Sequence, residues 1–315
     1  MSYTRRQFFR ALAAAGASLA SLAPCRPGYA VLPPSLVPLG RHMHVIPSTG
    51  EKIPAIGLGS WLTFAIDLDD AEALDSRVAI VHKFLAHGGG LLDSSPMYGV
   101  AQNVIGIALR RIADHKGLFS ATKVWTMGDR QGFLQMEESR QLWGVDKFDL
   151  MQVHNLLDWE THLPTLFAMK QQGDIRYVGV TTSHGRRHDR LAHIMRTRPL
   201  DFVQFTYNML DREAEHTLLP LAKERGIAVI INRPFRRGGL FDKFDRHPLP
   251  EWAEEIDCKS WAQFFLKFII SHPAVTCAIP ATSRLAHLRE NMAAGYGVLP
   301  DEKMRQQMLA YINTL

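Results

Sequence analysis

Short apolar runs recur eight times along this 315-residue chain, at 55–59, 89–93, 119–124, 149–154, 177–180, 202–205, 227–232 and 275–279. Each is bounded by polar or turn-forming residues, the pattern of strands buried on both faces. The intervals mix charged and apolar residues at turn spacing, so 71–87, 100–112, 131–143, 161–171, 186–196, 213–225 and 259–270 read as helices. Gly88, Gly173 and Gly226 fall where a helix should stop before the next strand. Strands alternating with helices imply an α/β fold with a parallel sheet. Eight such units in about 260 residues fit one closed (β/α)8 TIM barrel. The competing open, doubly wound sheet would favour a glycine-rich phosphate loop at its first strand–helix turn. Gly57-Leu58-Gly59-Ser60-Trp61-Leu62 lacks the third glycine. Ahead of the barrel, Val45-Ile46-Pro47-Ser48-Thr49-Gly50-Glu51-Lys52-Ile53 signals a short N-terminal hairpin. No internal repeat or second-domain linker stands out. The chain divides into an N-terminal address (1–30), a Pro-rich lead-in (31–43) and one barrel domain (44–315).

The 36 Lys and Arg residues exceed the 31 Asp and Glu, giving a formal charge of +5. Arg5, Arg6, Arg10 and Arg26 lie in the first thirty residues, which hold no acid, so the body carries 32 basic and 31 acidic side chains. A nucleic-acid binder concentrates its basic excess on the folded body; no nucleic acid is expected as a partner. With 46% apolar residues and three Cys, the chain is neither disordered nor disulfide-stapled. Cys277 lies in an apolar run and reads as a buried thiol, and no disulfide with Cys258 is expected.

Thr4-Arg5-Arg6-Gln7-Phe8-Phe9-Arg10 precedes a mildly apolar stretch from Ala11 to Ala23, and Gly28-Tyr29-Ala30 offers small residues for cleavage. Pro24, Arg26 and Pro27 interrupt that stretch before the roughly 20 residues a membrane span needs. The pattern resembles a bacterial twin-arginine signal. The resemblance implies a protein that folds in the cytoplasm, passes through the twin-arginine export machinery and resides in the periplasm.

In a barrel of this kind, chemistry lies at the carboxyl ends of the strands. Three successive runs end in Leu91-Leu92-Asp93-Ser94-Ser95-Pro96-Met97-Tyr98-Gly99, Thr122-Lys123-Val124-Trp125 and Gln152-Val153-His154-Asn155. Neighbouring strands lie about 5 Å apart, so Asp93, Lys123 and His154 converge on one rim, with Tyr98 on the loop beyond. Asp93 is the partner that a buried Lys123 needs. A free phenol has a pKa of about 10, and a nearby ammonium is expected to lower it and make Tyr98 a better acid. His154 would donate to a substrate oxygen or assist the proton transfer. No side chain here accepts or gives a hydride, so redox chemistry would need a cofactor.

These motifs, in this order, resemble the aldo-keto reductases over residues 44 to 300. The likeness includes Ile53-Pro54-Ala55-Ile56-Gly57-Leu58-Gly59, the spacing from Asp93 to Tyr98-Gly99, Thr122-Lys123, Asp149-Leu150-Met151-Gln152-Val153-His154, Gly173-Asp174-Ile175-Arg176-Tyr177-Val178-Gly179-Val180, Ile279-Pro280 and Arg289-Glu290-Asn291. The resemblance implies a (β/α)8 barrel that binds a nicotinamide cofactor and interconverts aldehydes or ketones with alcohols. Asp93, Tyr98, Lys123 and His154 fill its catalytic positions, with Tyr98 as the proton donor.

The cofactor positions depart more from the family pattern. Thr181-Thr182 stand where the family has Ser-Asn on the carboxamide, and Gln204 matches the other carboxamide contact. Asn232 replaces an aromatic that stacks on the nicotinamide, and Arg233 follows it. Arg236, Arg237, Gly238 and Gly239 would line the pyrophosphate or form a solvated loop. Ala281 and His287 replace a Lys and an Arg used for the 2′-phosphate, while Thr282, Ser283 and Arg284 would replace them, Arg through its fork of donors. Glu290 and Asn291 match adenine contacts. NADP(H) is the preferred cofactor on this reading, with NAD(H) as the alternative. Trp61, Trp125 and Trp159, just past strand ends, would wall a pocket for a small-molecule carbonyl or alcohol. His184 and His188 share helix spacing without an acidic ligand, so no metal site is expected. The unusual Asn232 and Thr182 motivate the competing function, a nucleotide-binding module of the same fold with little turnover.

Overall fold

The computed structural model describes residues 40–112, 114–183 and 185–315. The expected address at 1–30, most of the Pro-rich lead-in and His184 lie outside the described residues. β1 (Met43–Val45) and β2 (Lys52–Pro54) pair antiparallel, His44 opposite Ile53, as the hairpin motif predicts. Eight strands follow: β3 (Leu58–Gly59), β4 (Leu91–Asp93), β5 (Phe119–Val124), β6 (Phe148–Val153), β7 (Ile175–Thr181), β8 (Phe202–Thr206), β9 (Ala228–Asn232) and β10 (Cys277–Ala278). They pair in parallel and in chain order. Bridges from Ile56 to Ala278 and from Gly59 to Ala281 join the last strand to the first.

Closure accounts for Gly57 and Gly59. A Cβ at Gly57 would lie 2.5 Å from Leu91 O, and one at Gly59 2.8 Å from Ile279 O. Only a residue without a side chain lets the first strand approach both neighbours so closely. The pair is a barrel seam, not a phosphate loop.

The connecting helices are α1 (Ala71–Ala86), α2 (Ala101–Arg111), α3 (Asp129–Trp143), α4 (Trp159–Gln172), α5 (His188–Thr197), α6 (Leu218–Arg225), α7 (Gly239–Phe244) and α8 (Trp261–Ile270). After β10 come α9 (Leu285–Ala293) and α10 (Glu302–Ile312). Asp70 and Asp301 start α1 and α10 by accepting the N–H of Ala73 at 3.0 Å and of Met304 at 2.8 Å. Gly173 and Gly226 end α4 and α6 in the left-handed conformation. The helix expected over 213–225 divides into a single turn at Glu213–Glu215 and α6. Pro220 sets that start, because its ring would clash with the carbonyl of His216 in a longer helix.

Strand alternation sorts the barrel interior into layers. Phe119, Tyr177 and Phe202 stack near the base, above the hairpin's Ile46 and Ile53, and Leu91, Ala121, Leu150, Ala228 and Ile230 also face inward. Two residues further along the same inward faces, the side chains turn polar: Asp93, Lys123, Gln152 and Gln204. The base is thus apolar and filled, and buried polar groups at the top call for partners within a ring of strand ends. Cys258 and Cys277 are free and buried.

Candidate active site

Lys123 Nζ lies 2.6 Å from Asp93 Oδ2, with side-chain exposures of 0% and 2%. The ammonium also donates to Ser94 O at 2.8 Å, and Gln152 Nε2 and Gln204 Nε2 donate to Asp93 Oδ1 at 3.2 and 3.1 Å. Asp93 therefore accepts from three strand ends. The pair has the geometry and extra hydrogen bonds that make a buried ion pair tolerable. Lys123 Nζ sits 5.3 Å from the Tyr98 ring centroid. The His154 ring meets that of Tyr98 nearly edge-on, at 5.6 Å and 83°. The four residues that the sequence picks out for one rim do meet there.

Electrostatics correct one expectation. The ammonium was expected to lower the Tyr98 pKa, yet burial, followed by the Asp93 carboxylate, raises it well above the ordinary phenol value. The reason is burial first, which disfavours the charged phenolate, and then the Asp93 carboxylate, whose negative charge disfavours it further. Tyr98 is thus a fully protonated phenol at neutral pH. Burial pulls Lys123 down while Asp93 pushes it back up. Burial, then the charge of Lys123, holds His154 well below the usual imidazole value, so it is neutral.

Tyr98 and His154 open onto a cavity of about 730 Å³, also lined by Trp61, Met97, Trp125, Asn155, Thr182, Gln204, Asn232, Arg233, Arg237 and Ala281. That volume suits a drug-sized or cofactor-sized ligand. Trp61 and Trp125 form walls as expected; Trp159 does not, being buried with Arg198 5.3 Å from its ring.

Three guanidiniums, from Arg187, Arg233 and Arg237, line the cavity, and among the described residues its acidic lining residue is the already paired Asp93. The space carries net positive charge and suits an anionic ligand. Arg233, Arg236 and Arg237 all have positive φ (51°, 52° and 60°), a conformation that costs energy in non-glycine residues and clusters at ligand sites. Asn208 holds this loop by donating to Arg233 O at 3.2 Å, and Arg237 lies 4.2 Å from the Trp61 ring. Arg236 instead reaches Asp211 at 3.5 Å. Burial, then the like charge of Arg237, lowers the Arg233 pKa, as expected of a cation short of counter-charge.

The other positions separate. Thr182 Oγ1 and Arg233 Nε are buried with no hydrogen-bond partner, and both residues line the cavity, so a polar group held there would satisfy them. Thr181 is held elsewhere: its hydroxyl accepts the Asn155 N–H at 3.1 Å, and it does not line the cavity. Asn232 lines the cavity, but its amide donates to Thr182 O and accepts from Thr206 Oγ1, both at 2.8 Å. It braces the rim. Thr282, Ser283, Arg284, Glu290 and Asn291 cluster at the start and body of α9, outside the cavity lining. Arg284 is exposed at the helix N-terminus, and Thr282 Oγ1 accepts its backbone N–H at 3.1 Å. No cluster of three or more His, Cys, Asp or Glu suited to a metal occurs among the described residues.

The (β/α)8 barrel thus carries a buried Asp–Lys pair, a phenol and an imidazole at one mouth. The Aldo/keto reductase family model matches residues 55–308, and the chain belongs to that family. Among its relatives, the NADH-specific methylglyoxal reductase of Escherichia coli is 27% identical over 251 residues, 69% of this chain and 72% of that protein. An aldo/keto reductase from Klebsiella pneumoniae, solved with NADP and acetate, shares the fold with a TM-score of 0.72 at 23% identity, covering 85% of this chain and 95% of that one. A thermostable aldo-keto reductase solved with the inhibitor epalrestat gives 0.70 at 25% identity, with 85% and 99% covered.

Proposed function

We propose that this protein is an NADP(H)-preferring oxidoreductase that interconverts an aldehyde or ketone and an alcohol. The observation that carries the reading is the convergence of Tyr98, His154 and the buried Asp93–Lys123 pair on one cationic cavity. The unsatisfied Thr182 hydroxyl, with Gln204 beside it, suits a carboxamide, and Arg233 and Arg237 suit a pyrophosphate. Arg284, with Thr282 and Ser283, would hold a 2′-phosphate. NAD(H) is the alternative cofactor, in keeping with the specificity of the Escherichia coli relative.

A bound nicotinamide would supply the hydride that no side chain here provides. Tyr98 holds its proton at neutral pH and gives it up as negative charge grows on the carbonyl oxygen. The Lys123 ammonium, 5.3 Å from the ring centroid, is the member of the pair that would oppose the charge on the phenolate left behind, against burial and Asp93, which disfavour it. Neutral His154 orients the reacting oxygen by donating to it.

The test is direct. NADPH should quench Trp61 and Trp125 fluorescence on binding and be consumed in step with alcohol formed from a panel of aldehydes. Arg284→Ala should weaken NADPH about tenfold while changing NADH less than twofold. Tight NADPH binding with no turnover across the panel would favour the nucleotide-binding module instead. The Thr4–Arg10 pattern supports export by the twin-arginine machinery to the periplasm. Changing Arg5 and Arg6 together to Lys should then retain the full chain in the cytoplasmic fraction.

A further inference from the structure

We propose that Ser95 is a positioning residue that locks His154 in the tautomer with its proton on Nε2, so that the ring presents a donor to the reacting oxygen. Ser95 Oγ lies 2.8 Å from His154 Nδ1, and the Met97 N–H donates to the same Oγ at 3.2 Å. Ser95 is completely buried, so water offers its hydroxyl no alternative. A hydroxyl has one proton to give. Among the described residues, Nδ1 is the acceptor within its reach.

The two tautomers then differ sharply in hydrogen-bond satisfaction. With the proton on Nδ1, two donors would point at Ser95 Oγ and the serine's own proton would be buried without an acceptor, a costly arrangement. With the proton on Nε2, Ser95 donates to Nδ1 and Met97 donates to Ser95, so both buried groups are satisfied and the Nε2 proton is left for a group in the cavity. His154 is neutral and has only one ring proton, so Ser95 decides which edge of the ring carries it. The edge-on contact with Tyr98 and the Trp125 ring 6.5 Å away hem the ring in. Ser95 belongs to the turn that carries the proton donor, because its carbonyl accepts the Tyr98 N–H at 3.0 Å. One turn therefore places the phenol and sets the imidazole. The inference rests on the proposed reading that His154 faces the substrate.

Long-range proton–nitrogen spectra of the full chain with labelled histidine report the tautomer without any turnover. The His154 signals are those lost in His154→Asn. The parent should show an unprotonated Nδ1 and a protonated Nε2. In Ser95→Ala the pattern should shift toward a mixture, with kcat/KM down about tenfold, the worth of one hydrogen bond, and NADPH affinity unchanged. Ser95→Thr should restore both readouts. A proton on Nδ1 in the parent, an unaltered tautomer in Ser95→Ala, or an unchanged kcat/KM in Ser95→Ala overturns the proposal. An inactive parent with the expected tautomer, lost in Ser95→Ala, overturns the carbonyl-reductase reading and supports the Ser95 lock.

Discussion

Replacing Asp93 with Asn keeps the shape of the side chain and removes the charge that Lys123 was folded around. In the parent, the carboxylate accepts from Lys123 at 2.6 Å and from Gln152 and Gln204 at 3.2 and 3.1 Å. The asparagine oxygen can still serve the two glutamines, but its amide nitrogen then confronts the ammonium, donor against donor. Removing one partner of a buried ion pair typically costs about 3–5 kcal/mol. At roughly 2–4 °C per kcal/mol for a large domain, Asp93→Asn should melt about 6–20 °C below the parent. The sign of the pH dependence adds a second constraint. Burial lowers the Lys123 pKa and Asp93 is what opposes it; without Asp93 the folded-state value drops further below the unfolded one. The unfolded chain then binds more protons between those values, so the variant's deficit should shrink as pH rises toward 10. Thermal unfolding of the cofactor-free chain from neutral to alkaline pH measures both effects. The exposed pair of Arg111 and Asp75, 2.7 Å apart, is the control, and Arg111→Ala should move Tm by no more than about 2 °C. An Asp93→Asn variant that melts within 2 °C of the parent, or whose deficit does not vary with pH, would show that Lys123 is not a charge held against its desolvation by Asp93.

Two further outcomes follow from packing and burial. A Cβ at Gly106 would lie 1.7 Å from Leu142 O, where α2 crosses the end of α3. Gly106→Ala should therefore lower Tm by more than about 5 °C, whereas helix propensity alone would raise stability by about 1 kcal/mol. His272 is lowered to about 4, first by burial and then by the charge of Arg305. A depressed folded pKa means that stability present above the unfolded value of 6.5 is lost as pH falls toward 4. His272→Gln should flatten the acid side of a Tm-against-pH profile in that window.

Much of the barrel is legible because burial on both faces leaves short, nearly continuous apolar runs, and the eight expected strands overlap the eight observed. Asp93, Lys123 and His154 are legible for the same reason: strand alternation fixes their face, and their type is out of place in an apolar run. Gln152 obeys the same rule two residues before His154 and was readable from it. Ser95 was not, because its partner lies 59 residues away and the contact depends on a turn rather than a strand. Asn155 and Arg187 meet through a hydrogen bond from the guanidinium to a carbonyl in a left-handed turn. No periodicity reports that. The direction of the Tyr98 shift escapes a reading by residue type, since it depends on how deeply the phenol is buried and on the Asp93 charge near it. Asn232 shows the converse: its place on the rim was legible, but not that its amide serves neighbouring threonines.

A single proton, the one on Tyr98, carries the proposed chemistry, and Tyr98→Phe removes it. The substitution removes one oxygen from a ring packed by Trp61 at 6.5 Å and His154 at 5.6 Å, so the fold and NADPH affinity should survive, the latter within about threefold. Loss of a positioned general acid is worth about 10²–10⁴ in rate, and the aldehyde-dependent consumption of NADPH should fall by at least a hundredfold. A Tyr98→Phe protein that binds NADPH as the parent does and reduces aldehydes at the parent's rate would contradict the account.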